Sequence, residues 1–304
     1  MRICVVLVTY DRREELARTL SAYEAQEYPP QTVLVVDNHS TDGTAEMLAA
    51  WREGEQKITH RVLTLPENRG GSGGFYAGME AALATGAEWI FLSDDDALPR
   101  PDALRVLYDF TVAHPDLASG AAALCGAVDT GAGFATGHRA RIRRPSFSGI
   151  IDAPVPVREY QKEYFIVDFF SYIGVCVRAS ALREAGFCRP DFFLYGDDFE
   201  HALRVGKEGK IYCVPACVLT HKDNNPYARR ASWRDYYATR NLLLTYRAHF
   251  GRFAAARRGL LRRLSALRSF DKVKIRVISD AIRDARRSVT GEHPVYRPGW
   301  EPRR

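Results

Sequence analysis

Short apolar segments alternate with amphipathic helix patterns through the first hundred residues, and this alternation constrains the fold more than any other feature. The predicted strands lie at residues 3–9, 33–36, 61–65 and 89–92, and helix patterns separate them. Strands that are apolar on both faces are typical of a parallel sheet that helices cover on each side. The sequence therefore predicts an α/β fold with a mostly parallel central sheet.

Polar side chains follow each of these predicted strands. The polar segments are Thr9-Tyr10, Asp37-Asn38, Glu67-Asn68 and Asp94-Asp95-Asp96. The carboxyl ends of parallel strands lie at one edge of a sheet, where open α/β sheets bind their ligands. We therefore expect a functional site at this edge.

The composition is that of an ordinary globular protein. Apolar residues make up 46% and charged residues 26% of the 304 positions, which excludes a disordered or fibrous protein. No apolar run reaches the roughly 18–20 residues that a membrane-spanning helix needs, and the first strand lacks the features of a signal peptide. We therefore expect a cytoplasmic protein whose six cysteines are reduced.

Positive charge is concentrated toward the carboxyl terminus. From Arg247 onward the chain has 16 basic and 5 acidic residues, whereas acidic residues outnumber basic ones before that point. Leu260, Leu264 and Leu267 have the spacing of one helix face, and the arginines around them are typical of a helix at an anionic membrane surface. A helix packed on the domain or on a second subunit remains an alternative. The acidic body and the lack of a recognition motif argue against nucleic-acid binding.

Three consecutive aspartates end the fourth predicted strand. Their charges repel one another unless a cation is present, and Mg²⁺ or Mn²⁺ accepts carboxylate ligands. Side chains alternate along a strand, so Asp94 and Asp96 point to the same side and form the better ligand pair. His221, at the end of a later strand, could add a nitrogen ligand. The alternatives are an exposed acidic turn and a structural histidine.

Two further segments have both a functional and a structural interpretation. Asp197 and Asp198, at the start of a predicted helix, could supply a general base or could cap that helix. The glycine-rich residues 68–78 match neither a dinucleotide-binding motif nor a phosphate-binding loop. They could bring the backbone close to a ligand or form a tight turn before a helix at 75–85. Further on, two short strands are predicted at 210–214 and 217–220, and a helix at 233–249.

Taken in order, seven segments of this chain resemble glycosyltransferase family 2, whose members are inverting enzymes with the GT-A fold. The segments are Val-Thr-Tyr-Asp-Arg at 8–12, Val-Val-Asp-Asn-His-Ser-Thr-Asp-Gly-Thr at 35–44, Glu-Asn-Arg-Gly-Gly at 67–71, Ser-Asp-Asp-Asp-Ala at 93–97, Gly-Asp-Asp-Phe-Glu-His-Ala-Leu-Arg at 196–204, His221, and Tyr-Tyr-Ala-Thr-Arg-Asn at 236–241. The resemblance implies a catalytic domain at residues 1–250 and a basic helical extension at 251–304.

The glycine-rich form of the third segment is similar to that of actinobacterial galactofuranosyltransferases. This resemblance implies metal-dependent transfer of galactofuranose from UDP-galactofuranose to a hydroxyl of a glycan or a polyprenyl-diphosphate-linked glycan in cell-envelope synthesis. It also implies a position at the inner face of the plasma membrane. A rhamnosyltransferase that uses dTDP-rhamnose is the first alternative, and a non-catalytic module that binds a nucleotide sugar or a glycan is the second.

The resemblance also implies residue roles. The donor-binding positions would be Thr9, Tyr10, Arg12, Asp37, Asn68, Gly70, Gly71, Asp94, Asp95 and Arg240. Asp94, Asp96 and His221 would hold Mg²⁺ or Mn²⁺.

The acidic pair matches the catalytic motif of the family. Asp198 stands at the position of the catalytic base. Asp197 would contact the acceptor, and it occupies a position where many family members have Glu. Arg229 or Arg230 could assist Arg240 in binding the diphosphate.

Overall fold

A central mixed sheet organises the computed structural model, which describes residues 1–54, 57–143, 151–221 and 231–302. The strands are β1 (Ile3–Thr9), β2 (Thr32–Asp37), β3 (Thr59–Thr64), β4 (Trp89–Asp94), β5 (Leu98–Pro99), β6 (Ala121–Asp129), β7 (Arg139–Arg143), β8 (Ile151–Pro154), β9 (Phe165–Val167), β10 (Phe169–Phe170), β11 (Val175–Arg178) and β12 (Lys210–Thr220). Within these described residues, no helix combines the length and apolar character that a membrane crossing requires.

Helices cover both faces of this sheet. The α-helices are α1 (Arg13–Glu24), α2 (Thr44–Glu53), α3 (Gly70–Leu83), α4 (Ala103–Ala113), α5 (Pro115–Ser119), α6 (Ala179–Ala185), α7 (Asp197–Glu208), α8 (Trp233–Arg268) and α9 (Lys272–Arg286). Short 3₁₀ helices lie at Thr136–His138, Val157–Gln161 and Pro190–Phe192.

The strands of the main sheet follow the order β3-β2-β1-β4-β11-β6-β12-β5, and β9 adds to β12. Strands β3, β2, β1 and β4 are mutually parallel, as predicted. Strand β11 is antiparallel to both β4 and β6, and β6 is parallel to β12. The carboxyl ends of β6 and β12 therefore lie at the same edge as those of β1, β2 and β4. A small antiparallel sheet, β10-β7-β8, lies beside the main one.

Side chains of β1 alternate between the two layers of the hydrophobic core. Cys4 and Val6 pack in one layer, whereas Ile3, Val5 and Leu7 pack in the other. Both faces of the strand are therefore buried, which is why its sequence is apolar throughout. The six cysteines are all buried and free, as expected for reduced thiols.

The glycine-rich segment forms the first turns of α3, so the prediction that this helix begins at residue 75 was wrong. A Cβ atom on Gly74 would lie 2.4 Å from a methyl carbon of Val8, and one on Gly78 would lie 2.4 Å from a methyl carbon of Val6. The glycines therefore allow α3 to lie directly against β1. This tertiary contact outweighs the poor helix propensity of glycine.

One other predicted boundary also differs from the structure, and a second agrees with it. The segment predicted as two short strands is the single strand β12, with a register shift against β6 between Cys213 and Val218. Helix α8 consists of two helical halves that meet at a kink at Gly251, where φ is 90°. The prediction of a helix that ends near residue 249 is therefore confirmed.

The carboxyl-terminal helices pack partly onto the rest of the chain. Ile278 and Ile282 of α9 belong to one apolar cluster with Leu243 and Leu244 of α8 and with Phe192, which precedes α7. Helix α9 is therefore packed against the rest of the chain. The second half of α8 is different, because it exposes several apolar side chains.

Candidate active site

The ends of β4 and β12 bring the first acidic cluster and His221 together. Asp94 is the last residue of β4, and it is paired in register with Val8 of β1. His221 directly follows β12, and its backbone N–H donates to the carbonyl of Asp129 at the end of β6. These strand ends share one edge of the sheet, although more than 120 residues separate Asp94 from His221 in the sequence.

Asp94, Asp96 and His221 form a candidate metal site. One potential ligand atom from each residue lies within 4.8 Å of those of the other two. The Nε2 atom of His221 is 3.1 Å from a carboxylate oxygen of Asp96. Two carboxylates and an imidazole at this spacing fit a divalent cation.

The electrostatics of this cluster also favour a bound cation. Burial and the charge of Asp96 raise the pKa of Asp94 to about 6. Burial raises the pKa of Asp95 to about 7, although the positive charge of Arg12 acts to lower it. Although burial acts in the opposite direction, the hydrogen bond and charge of His221 lower the pKa of Asp96, and Arg12 adds to this effect. A nearby positive charge would therefore stabilise the ionised forms of these carboxylates.

Arg12 supplies one such charge within the chain. Its Nη1 atom is 3.3 Å from a carboxylate oxygen of Asp95 and also contacts Asp96. Arg12 is one of the predicted donor-binding positions, and its guanidinium lies beside the acidic cluster. The side chain is 45% exposed, so this edge of the cluster is open to solvent.

The second acidic pair stands at the amino-terminal end of α7. Gly196 precedes the helix with a φ of 81°, and the helix begins at Asp197. Burial raises the pKa of Asp197 to about 6. Burial and the charge of Asp197 raise the pKa of Asp198 to about 8, and the charge of Asp94 adds to this effect. The two acidic groups therefore lie close enough to interact electrostatically.

The side chain of Asn241 holds the loop before this acidic pair. Its Nδ2 atom donates to the carbonyls of Phe192 at 3.0 Å, Leu194 at 2.8 Å and Tyr195 at 2.7 Å. Phe193 and Tyr195 have φ values of 65° and 61°, which are strained for residues with a side chain. Sequence reasoning did not identify Asn241, although it stands in the Tyr-Tyr-Ala-Thr-Arg-Asn segment of the family resemblance.

Arg240, which the family resemblance places at the diphosphate, lies in a structural environment here. The residue is fully buried, and its guanidinium donates to the carbonyls of Phe192 at 3.0 Å and Gly291 at 2.7 Å. It also donates to Asn241 and lies over the rings of two tyrosines. These bonds use three of the five N–H donors of the guanidinium within the protein itself. Arg229 and Arg230 lie outside the described residues.

The end of β2 supplies the next part of the site. Asp37 is 1% exposed, and one of its carboxylate oxygens accepts the backbone N–H of Ser40. The neighbouring Asn38 was not predicted as a site residue. Its Nδ2 atom donates to the side chain of Asn68 at 3.1 Å and to the carbonyl of Gly70 at 2.9 Å. This amide pair connects the ends of β2 and β3 to the start of α3.

The remaining predicted donor-binding positions differ in their exposure. Thr9 is buried at the end of β1, whereas Tyr10 is 40% exposed. Gly70 has a φ of 70°, and a Cβ atom there would overlap the carbonyl of Phe193. Gly71 lies against the side chain of Leu194. The start of α3 therefore contacts the loop that carries the acidic pair, so these glycines have a packing role.

Comparison with known proteins assigns the chain to a family. The family model for Glycosyl transferase family 2 matches residues 4–173. Galactofuranosyltransferase GlfT1 of Mycolicibacterium smegmatis is 41% identical over 97 residues, which are 32% of this chain and 30% of that protein. GlfT1 of Mycobacterium tuberculosis is 40% identical over 94 residues, 31% of this chain and 30% of that protein. These alignments thus cover less than a third of either protein.

Solved structures extend the likeness in fold over nearly the whole chain. The mannosyltransferase PcManGT of Pyrobaculum calidifontis, solved with GDP-Man and Mn²⁺, superposes with a TM-score of 0.58 at 18% identity, over 96% of this chain and 76% of that one. Residues 1–349 of TarS from S. aureus, solved with UDP-GlcNAc, give a TM-score of 0.60 at 16% identity, over 95% of this chain and 82% of that one. Because this family model matches more than half of its residues, and the solved structures share its GT-A architecture, the chain belongs to glycosyltransferase family 2.

Proposed function

We propose that this glycosyltransferase transfers galactofuranose from UDP-galactofuranose to a hydroxyl group of a cell-envelope glycan, with inversion at the anomeric carbon. The 41% identity to GlfT1 over part of the chain supports the choice of sugar. The observation that carries the reaction type is the cluster of Asp94, Asp96 and His221 at the carboxyl ends of β4 and β12, whose ligand atoms lie within 4.8 Å of one another.

The first acidic group would bind the leaving side of the donor. Asp94, Asp96 and His221 fit a divalent cation, and we propose Mg²⁺ or Mn²⁺, which neutralises the developing charge of a diphosphate leaving group when bound. Asp37, at the end of β2, would accept the imide N–H of the base, and Thr9 and Tyr10 would line the nucleoside site. Arg12, which lies beside Asp95, would limit the negative charge that the donor phosphates meet.

The second acidic group would act on the acceptor. Asp198 would take the proton of the acceptor hydroxyl as that oxygen forms its bond to the anomeric carbon and the bond to the diphosphate oxygen breaks. Burial and the charge of Asp197 raise the pKa of Asp198 to about 8, so its ionised form is a stronger base than an ordinary carboxylate. One displacement inverts the anomeric centre. Asp197 would contact the acceptor.

A donor panel tests this proposal. The protein is incubated with UDP-galactofuranose, dTDP-rhamnose and other nucleotide sugars, Mn²⁺ and a synthetic polyprenyl-diphosphate-linked glycan, and products are detected by mass. We expect transfer from UDP-galactofuranose, loss of transfer in EDTA and recovery with added Mn²⁺. Transfer from dTDP-rhamnose instead would identify a rhamnosyltransferase. Donor binding without release of nucleotide diphosphate would identify a non-catalytic module.

Replacement of the proposed base tests the mechanism separately. Asp198→Asn removes the proton acceptor and keeps the shape of the side chain, so we expect turnover to fall by about 10²–10⁴-fold while the donor still raises the melting temperature. Asp109→Asn is the matched control, because Asp109 is an exposed aspartate on α4. Normal turnover in Asp198→Asn would exclude the base role.

A further inference from the structure

The second half of α8 presents an apolar stripe to solvent. Phe253 is 84% exposed, Leu260 57%, Leu264 38% and Leu267 44%. With 3.6 residues per turn, these four side chains fall within an arc of about 60° around the helix axis. Phe270, just beyond the helix, is 90% exposed. Soluble helices normally carry polar residues on the side that faces solvent.

The opposite side of the same helix segment is packed. Gly259 and Ala266 are buried there. A Cβ atom on Gly259 would be in van der Waals contact with Leu243 and Ile282, which lie on the first half of α8 and on α9. The segment therefore has a fixed orientation on the protein. Its apolar stripe faces outward because the other side is already occupied.

Arginines border the stripe on both sides. At 100° per residue, Arg263 lies beside one edge of the stripe, and Arg257 and Arg268 lie beside the other. Long basic side chains at the edges of an apolar stripe can reach phosphate groups while the stripe enters a lipid layer.

A basic cavity lies next to the stripe, between α8 and α9. Its volume is about 260 Å³, and it is lined by Arg263, Ser279, Ile282, Arg283, Arg286 and Arg287. Arg283 is paired with Asp280 and Asp284, at 2.7 Å and 3.2 Å. Four arginines against two aspartates leave this region positively charged. Its chemistry suits the phosphate of a lipid headgroup.

We infer that residues 252–270, together with the arginine-lined cavity, form a surface that docks on an anionic phospholipid bilayer. Phe253, Leu260, Leu264 and Leu267 enter the boundary between headgroups and acyl chains, and the bordering arginines contact lipid phosphates. Nucleic acid would use the arginines but would leave the leucine stripe exposed to water. This inference gives a reason for a lipid-linked acceptor, and it stands on its own because lipid binding is measured without donor or turnover.

Vesicle flotation of the full-length protein tests the docking surface. We expect binding to vesicles of phosphatidylcholine mixed with phosphatidylglycerol, weaker binding to phosphatidylcholine alone, and weaker binding at high salt. The double variant Leu260→Glu/Leu264→Glu should reduce binding by about tenfold or more, because two charges would have to enter the apolar layer. The double variant Arg263→Glu/Arg268→Glu should reduce binding to the anionic vesicles and leave the weaker binding to phosphatidylcholine vesicles unchanged.

The control is Val112→Glu on α4, which changes a 62% exposed valine outside this surface in the same way. All replaced side chains are exposed, so the melting temperatures should stay close to that of the unmodified protein. Absence of binding to both vesicle types, or equal binding by the leucine double variant, would overturn the inference. A concentration-dependent dimer in sedimentation that the leucine double variant abolishes would also overturn it, because the stripe would then cover a second copy.

Discussion

Replacement of Asn241 by alanine tests the link between α8 and the acidic pair. The side chain is fully buried and donates to three carbonyls of the loop before Asp197. In Asn241→Ala, the carbonyl of Phe192 keeps its bond from Arg240, whereas the carbonyls of Leu194 and Tyr195 lose this donor. Each such hydrogen bond contributes about 0.5–1.5 kcal/mol, and the Asn241 amide makes three of them. We therefore expect the free energy of unfolding to fall by roughly 2–4 kcal/mol, a large part of the roughly 5–15 kcal/mol that stabilises a typical domain.

The activity of the same variant should fall for a different reason. Three of the four residues from 193 to 196 in the loop that Asn241 holds have a positive φ: Phe193, Tyr195 and Gly196. Without its tether, this strained loop can relax and move Asp198 relative to the acceptor hydroxyl. We expect kcat to fall by about tenfold or more, while the KM for the donor changes little, since misplacement of a reacting group lowers the chemical rate. Thermal unfolding and initial rates at varied donor concentration measure the two effects.

Arg247→Ala is the matched control for this prediction. Arg247 also lies on α8 and donates to backbone carbonyls, those of Ala285 at 3.2 Å and Arg286 at 3.4 Å, but these belong to the end of α9. Its loss should lower the melting temperature without lowering kcat. The reasoning would be refuted if Asn241→Ala melted and turned over like the unmodified protein, or if both variants lost kcat equally.

Two further predictions concern stability. Gly78→Val should lower the free energy of unfolding by about 1–3 kcal/mol or more in a denaturant titration, because a Cβ atom at this position overlaps Val6 of β1. Gly137→Ala is the control and should have little effect, since a Cβ atom there has open space around it. In EDTA, stability should fall as the pH rises from about 6.5 to 8: the folded state keeps the proton on Asp198, whose pKa is raised to about 8, while the unfolded state has already lost it. Melting curves of Asp198→Asn should show a smaller decrease over this range; an identical decrease would show that other groups cause it.

The predicted sheet and metal ligands depend on local features of the sequence. Each strand of the parallel half is apolar over its own length and is followed by its own polar residues, so both signals lie within a few positions. Parallel strands end at one edge, and this rule alone predicted that Asp94 and Asp96 would lie near Asp37. That His221 joins them depends on β12 running in the same direction as β4, which follows from the pairing directions of β4 with β11, β11 with β6 and β6 with β12.

Other features depend on partners that are distant in sequence. The sequence does not distinguish an arginine that binds a ligand from one that binds the backbone. Only the tertiary structure shows that Arg240 donates to the carbonyls of Phe192 and Gly291. Glycine has a low helix propensity, yet α3 begins at Gly70. The helix packs so closely on β1 that side chains at Gly74 and Gly78 would overlap that strand. The sequence predicted that the leucines in the second half of α8 share one helix face with arginines around them. Which side faces solvent was decided by the contact of Gly259 with Leu243 and Ile282, because burial depends on the whole fold.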